Sequence, residues 1–136
     1  MAEKDEKRQE VTKKQLKGHE KMIVWQNIDR LDIIVQNILK KLPKNEFKMK
    51  SQIDNASDSV GANFVEGYYS GSLLEYLRFL RYSKRSLGEL RERVHRVKRK
   101  GYLNDTEFAT FDNCAIGTMY LLDRLIRSLV AKHNNS

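Results

Sequence analysis

The chain predicts an all-α protein, an up-down-up-down four-helix bundle, on three observations. Apolar residues recur at helical steps of three, four and seven in four separate segments, and no stretch of useful length alternates apolar with polar residues as a strand would. Pro43 and the glycines at 67, 71 and 101 punctuate the segments, leaving connections short enough to make successive helices antiparallel neighbours. With 136 residues and 40% hydrophobic composition, the chain can build one domain with a real core and is too short for two.

Residues 1–20 hold six basic and five acidic side chains and only Val11 and Leu16 as sizeable aliphatics, so they read as a charged, flexible N-terminal extension. Residues 21–132 form the bundle domain, and residues 133–136 are a frayed end. In the first helix, residues 22–42, Val24, Ile28, Leu31, Val35, Ile38 and Leu42 alternate steps of four and three, the seam of a bundle. Pro43 then disfavours helical geometry at Leu42. The second helix, about 45–66, carries the narrow line Ile53, Ala56, Val60 and Phe64, whose small members permit close packing. Gly67 and Gly71 supply its exit.

Ser72 with Glu75 predicts a capping box opening the third helix, 73–100, and Gly101 stops it after Lys98, Arg99 and Lys100. Asn104 with Glu107 repeats the capping pattern. The fourth helix then presents Phe108, Phe111, Ala115, Met119, Leu122, Ile126 and Leu129 on one side.

The third helix has two chemically opposite faces. Leu73, Tyr76, Leu80, Leu87, Leu90 and Val94 share one side. At 100° per residue Arg78, Arg81, Arg85, Arg96 and Arg99 fall on the other, interrupted only by Glu89 and Glu92. Residues 75–100 carry ten Lys and Arg against three Glu, so +7 of the chain's formal +8 sits on this element. A charge run alone is a solvated helix face. Concentrated in this way, it suits nucleic acid, an acidic protein partner or anionic lipid, and nucleic acid is favoured. Guanidinium forks match phosphate oxygens, and backbone contacts of this kind confer affinity without base specificity. Lys84, Arg91 and Lys98 recur at heptad spacing along the edge of the apolar stripe, where they extend the cationic surface, snorkel over the core or pair across a subunit boundary.

Trp25 and Ile33 fall off the first helix's seam, and Ile116 and Tyr120 off the fourth's. A monomer would expose all four, so together they predict a homo-oligomer interface.

No catalytic constellation is legible. Asn63 and Glu66 lie one turn apart and Gly67 ends their helix; they read as a structural brace to a neighbouring helix, because acid–base work needs a second positioned group. His19, His95 and His133 form no Glu-x-x-His pair, so neither a di-iron site nor any other metal or cofactor is expected. Cys114, the single cysteine, reads as a small core residue. Phosphate-loop and dinucleotide fingerprints are missing. Tyr68, Tyr69 and Tyr102 could stack on unpaired bases, but covering the bundle ends is the better reading. With no export segment, no membrane span and no possible intrachain disulfide, the expected location is the cytoplasm.

Trp25 with Gln26, Leu42 and Pro43 with Glu46, Gln52 with Ile53, and the run Asn63, Phe64, Val65, Glu66, Gly67 resemble the bacterial four-helix bundle protein family, which includes proteins encoded within 23S ribosomal RNA intervening sequences. The resemblance continues through Glu75, Tyr76, Leu77, Arg78, Phe79 and Leu80, then Ser86 to Leu90, then Gly101, Tyr102 and Leu103, covering roughly residues 22–130. The same superfamily looks like the home of the accessory variability determinants of diversity-generating retroelements. The resemblance implies a homopentameric barrel with positive surfaces for nucleic acid, RNA above all, and association with a reverse transcriptase. The extension before Met22 departs from the compact family pattern. Two function classes follow: a non-catalytic nucleic-acid-binding accessory protein, or a scaffold whose basic helix docks an acidic or polymerase partner without touching nucleic acid itself.

Overall fold

The computed structural model describes residue 16 and residues 18–135. Four helices carry the fold: α1 Ile23–Leu39, α2 Phe47–Tyr68, α3 Leu73–Arg99 and α4 Asp105–Asn134, with no strand among the described residues. Side-chain pairs fix how they run. From α1 to α2, Ser57 donates to Asp32 at 2.8 Å and Gln36 to Asp54 at 2.9 Å. From α2 to α3, Ser83 donates to the Val60 carbonyl at 2.6 Å and Arg93 to Gln52 at 2.9 Å. Lys84 meets Asp123 at 2.7 Å and Lys98 meets Asp105 at 2.8 Å between α3 and α4. Asn27 donates to Thr118 at 2.5 Å and Lys41 pairs with Glu107, closing α4 onto α1. In each pair of helices one number rises as the other falls, so every neighbour is antiparallel and the bundle is up-down-up-down.

The core is the set of seam positions. Val35, Ile53, Phe64, Leu80, Leu87, Leu90, Val94, Phe111, Ala115 and Leu122 are sealed from solvent. The seam on α3 is longer than its aliphatic pattern: Leu77 and Val97 are buried too, and so is Ser83, whose hydroxyl is satisfied by the Val60 carbonyl. On α4 the fully buried line is Phe111, Ala115, Thr118 and Leu122, with Phe108, Met119, Ile126 and Leu129 packed partly buried against it.

Several boundaries differ from the sequence expectation. Helix α1 stops at Leu39, because Lys41 and Leu42 switch to amide bonds three residues back, on Ile38 and Leu39. That tighter turn keeps Leu42 buried although it has left the helix. A 3₁₀ turn, Lys44–Glu46, delays the start of α2 to Phe47. At its other end α2 passes through Gly67 to Tyr68, so Gly67 does not end the helix; Gly71 and Gly101, with φ of +75° and +83°, make the left-handed turns. Ser72 accepts the Glu75 amide, but the Glu75 carboxylate turns to Arg78 at 3.3 Å, leaving a simple cap; the reciprocal box is complete at Asn104 and Glu107.

The expected extension over residues 1–20 also needs correction at its end. Gly18–Lys21 form a 3₁₀ turn, and His19 packs edge-on against Trp25 and Tyr69 with a 3.0 Å hydrogen bond to the Tyr69 hydroxyl. An aromatic anchor therefore ties these residues to the bundle. The rest of that extension, apart from Leu16, and Ser136 lie outside the described residues.

Candidate nucleic-acid interface

The cations of α3 divide into three sets according to which neighbour they face. Toward α4, Lys84 meets Asp123 at 2.7 Å, Arg91 meets Asp112 at 3.1 Å and Lys98 meets Asp105 at 2.8 Å. The heptad spacing places all three on one flank, and α4 supplies one aspartate for each. The Lys98 ammonium, through its hydrogen bond and its charge, holds the Asp105 carboxyl below the usual aspartate range. Lys84, Arg91 and Lys98, expected on the cationic surface, thus each meet a carboxylate of the same chain across a helix boundary. Toward α2, Arg93 donates to Gln52 at 2.9 Å and Lys100 to Glu46 at 2.9 Å.

The third set faces outward. Arg78, Arg81, Arg85, Arg96 and Arg99 are all exposed. Among the described residues Arg81, Arg96 and Arg99 have no hydrogen-bond or ion-pair partner. Arg78 and Arg85 both lie near one ring, at 5.7 and 5.6 Å from the centroid of Tyr82, and Arg78 also lies 5.4 Å from that of Phe79. Tyr82 escaped the sequence reading, although an aromatic four residues after one arginine and three before another is the spacing that brings them together. Of the interrupting acids, Glu89 is drawn sideways to Arg93 at 3.4 Å, leaving Glu92 exposed on the stripe.

The Asn63, Glu66 and Gly67 element is built differently from the expectation. Asn63 donates to the Ser59 carbonyl at 2.8 Å and to the Ser59 hydroxyl at 3.0 Å, within its own helix. The Ser59 hydroxyl then meets Ser86 of α3 at 2.8 Å, so the brace reaches α3 through an intermediate. Glu66 is exposed. Gly67 is buried where α2 and α3 come close, and an added Cβ would stand 2.8 Å from the Phe79 Cβ.

Of the residues assigned to self-association, Ile33, Ile116 and Tyr120 are exposed at 58%, 49% and 56%. Trp25 is not: it is half-buried, stacked 6.3 Å from Phe64 and seated over Gly61, whose missing Cβ makes room for the indole. Tyr68 joins Phe64, Tyr76 and Tyr69 in an aromatic cluster at one bundle end, and Tyr102 packs on the core. Burial, with a smaller contribution from Tyr68, pushes the Tyr76 hydroxyl up to about 12. Burial likewise raises the Cys114 thiol, which is half-buried beside Asn27. Among the described residues no cluster of histidine, cysteine and acidic side chains could hold a metal ion, and no helix is long and apolar enough to cross a membrane.

The 23S rRNA-intervening sequence protein family matches residues 20–124, which takes in the last residues before α1 and most of α4. The chain belongs to this family. A crystal structure of a protein of unknown function from Bacteroides thetaiotaomicron, assigned to the S23 ribosomal protein family, superposes with a TM-score of 0.72. The match is 22% identical and covers 76% of this chain and 98% of the other; at that identity it shows the shared fold alone. No curated protein is significantly similar to the chain.

Proposed function

We propose that this protein is a non-catalytic basic accessory protein that binds nucleic acid, structured RNA above all, through the outward face of α3. One observation carries the reading: three cations of α3 are matched one-to-one by aspartates of α4, whereas five arginines remain exposed on the solvent face. Exposed guanidinium groups release condensed counterions when they meet phosphates, and Tyr82, within cation–π distance of both Arg78 and Arg85, gathers two of them around one ring. The description of the family, proteins of 23S rRNA intervening sequences, is consistent with an RNA partner. Five copies in a ring would repeat the stripe, so that weak contacts add through effective concentration; exposed Ile33, Ile116 and Tyr120 offer apolar contact area for such an assembly. We extend the proposal to a reverse transcriptase as protein partner.

The test is fluorescence anisotropy with a labelled RNA hairpin across a salt series. Each phosphate contact contributes about 0.9 to the slope of log K against log salt on duplex and about 0.7 on single strands. Replacing Arg78, Arg81, Arg85, Arg96 and Arg99 with glutamine should remove most of the affinity and flatten that slope while the helical circular dichroism stays intact. Unchanged binding rejects the assignment, and absence of binding by the purified wild-type protein moves the basic helix to docking a protein partner.

A further inference from the structure

We propose that the cleft between the first turns of α2 and the last turns of α3 seats a phosphate group of the bound nucleic acid, a site separate from the arginine–tyrosine patch around Tyr82. The inference rests on the nucleic-acid reading above and gives it a fixed anchor.

The cleft measures about 420 Å³ and is lined by Asn45, Glu46, Lys48, Gln52, Arg93, Arg96 and Lys100 with Met49. Its four cations come from two helices, so only the tertiary fold brings them together. Glu46 neutralises Lys100 at 2.9 Å. Arg93 spends its short hydrogen bond on the neutral Gln52 amide, 2.9 Å away, and reaches Glu89 only at 3.4 Å. Lys48 and Arg96 are exposed and have no partner among the described residues. The walls therefore keep an uncompensated charge of about +3, reduced somewhat by the long Glu89 contact, which is the charge a phosphate-rich ligand would neutralise. The amino end of α2 also lacks a side-chain cap, so the positive end of its dipole adds to the same field.

A second groove of similar size supplies the contrast. Between α1 and α2, about 460 Å³ is lined by Asp29, Asp32 and Asp58 beside Trp25, and its charge repels phosphate. Volume alone does not distinguish the two grooves; sign does.

The measurement compares two double variants for binding to the same RNA hairpin, made once with a 5′-phosphate and once with a 5′-hydroxyl. Lys48→Gln with Arg96→Gln empties the cleft of its two unpaired cations, and Arg78→Gln with Arg85→Gln strips the outer patch. The cleft variant should lose roughly ten-fold in affinity and about one in salt slope, as expected for removing phosphate contacts. If the loss is confined to the 5′-phosphorylated hairpin, the cleft takes a terminal phosphate; if both hairpins lose equally, it takes an internal one. Wild-type affinity in the cleft variant alongside loss in the outer variant overturns this inference and leaves the functional reading standing. Failure of the wild-type protein to bind either hairpin overturns both. Matched helical circular dichroism of the two variants shows that each has kept its fold.

Discussion

Gly67 should tolerate no side chain, although it sits in the last turn of a helix, where alanine would ordinarily gain up to the full interior preference. Substituting alanine in a helix interior gains about 1 kcal/mol from backbone entropy. At Gly67 the new methyl would stand 2.8 Å from the Phe79 Cβ and 3.2 Å from the Tyr76 carbonyl, against a comfortable carbon–carbon separation of about 3.5–4.0 Å. Both obstacles are tied to the α3 backbone, since a Cβ moves only with its main chain. No rotamer change relieves the contact, so α2 and α3 must separate and loosen the seam around Phe64 and Leu80. Overpacking of this kind costs about 1–3 kcal/mol; taking the upper end and subtracting the propensity gain leaves Gly67→Ala destabilised by about 2 kcal/mol, or roughly 8 °C in Tm. Gly88 is the internal control. It lies mid-way along α3 with nothing within 4 Å of an added Cβ, so Gly88→Ala should gain up to about 1 kcal/mol. Urea denaturation followed at 222 nm should separate the two variants by about 3 kcal/mol. Equal stabilisation by both alanines would refute the close approach of α2 and α3.

Two further outcomes follow from the site geometry. The Tyr76 hydroxyl stays protonated in the fold up to about 12, above its unfolded value of 10.0, so the native state holds more protons between those limits and stability should fall as pH rises through that window, with nothing lost below it. The ceiling is about 3 kcal/mol, cut well below that by water at the half-buried ring; Tyr76→Phe, compared with wild type by urea titration at pH 9 and 11.5, should remove this part of the decline, and identical curves would contradict it. Lys84→Gln with Lys98→Gln should leave RNA affinity within about two-fold, since their charges are already met by Asp123 and Asp105. A loss of RNA affinity equal to that of the outer arginines would reverse the division of α3 into paired and free faces.

The bundle was legible because burial and periodicity report the same thing on an isolated helix. Seams such as Val24 to Ile38 on α1, or Leu80 to Val94 on α3, are continuous apolar lines, and each became core. Ser83 was missed for the same reason inverted: its position is a seam position, but a hydroxyl carries no apolar signal, and only the Val60 carbonyl across the interface makes it at home there. Trp25 is half-buried for a different reason. Its wheel angle puts it off the seam of α1, yet Gly61 on α2 opens a slot that the ring fills.

The sequence by itself determined the helical class, the order of the four segments, most of the core and the gathering of +7 on one element, because each depends on residue spacing along a single helix. Only the tertiary structure decided which of those charges are available. A helical wheel shows which residues share a flank but not what stands opposite, so the pairing of Lys84, Arg91 and Lys98 had to wait for the aspartates of α4. The cleft of Lys48, Arg93, Arg96 and Lys100 likewise joins residues some fifty positions apart in the chain, and electrostatics acts through space, where separation along the chain does not count.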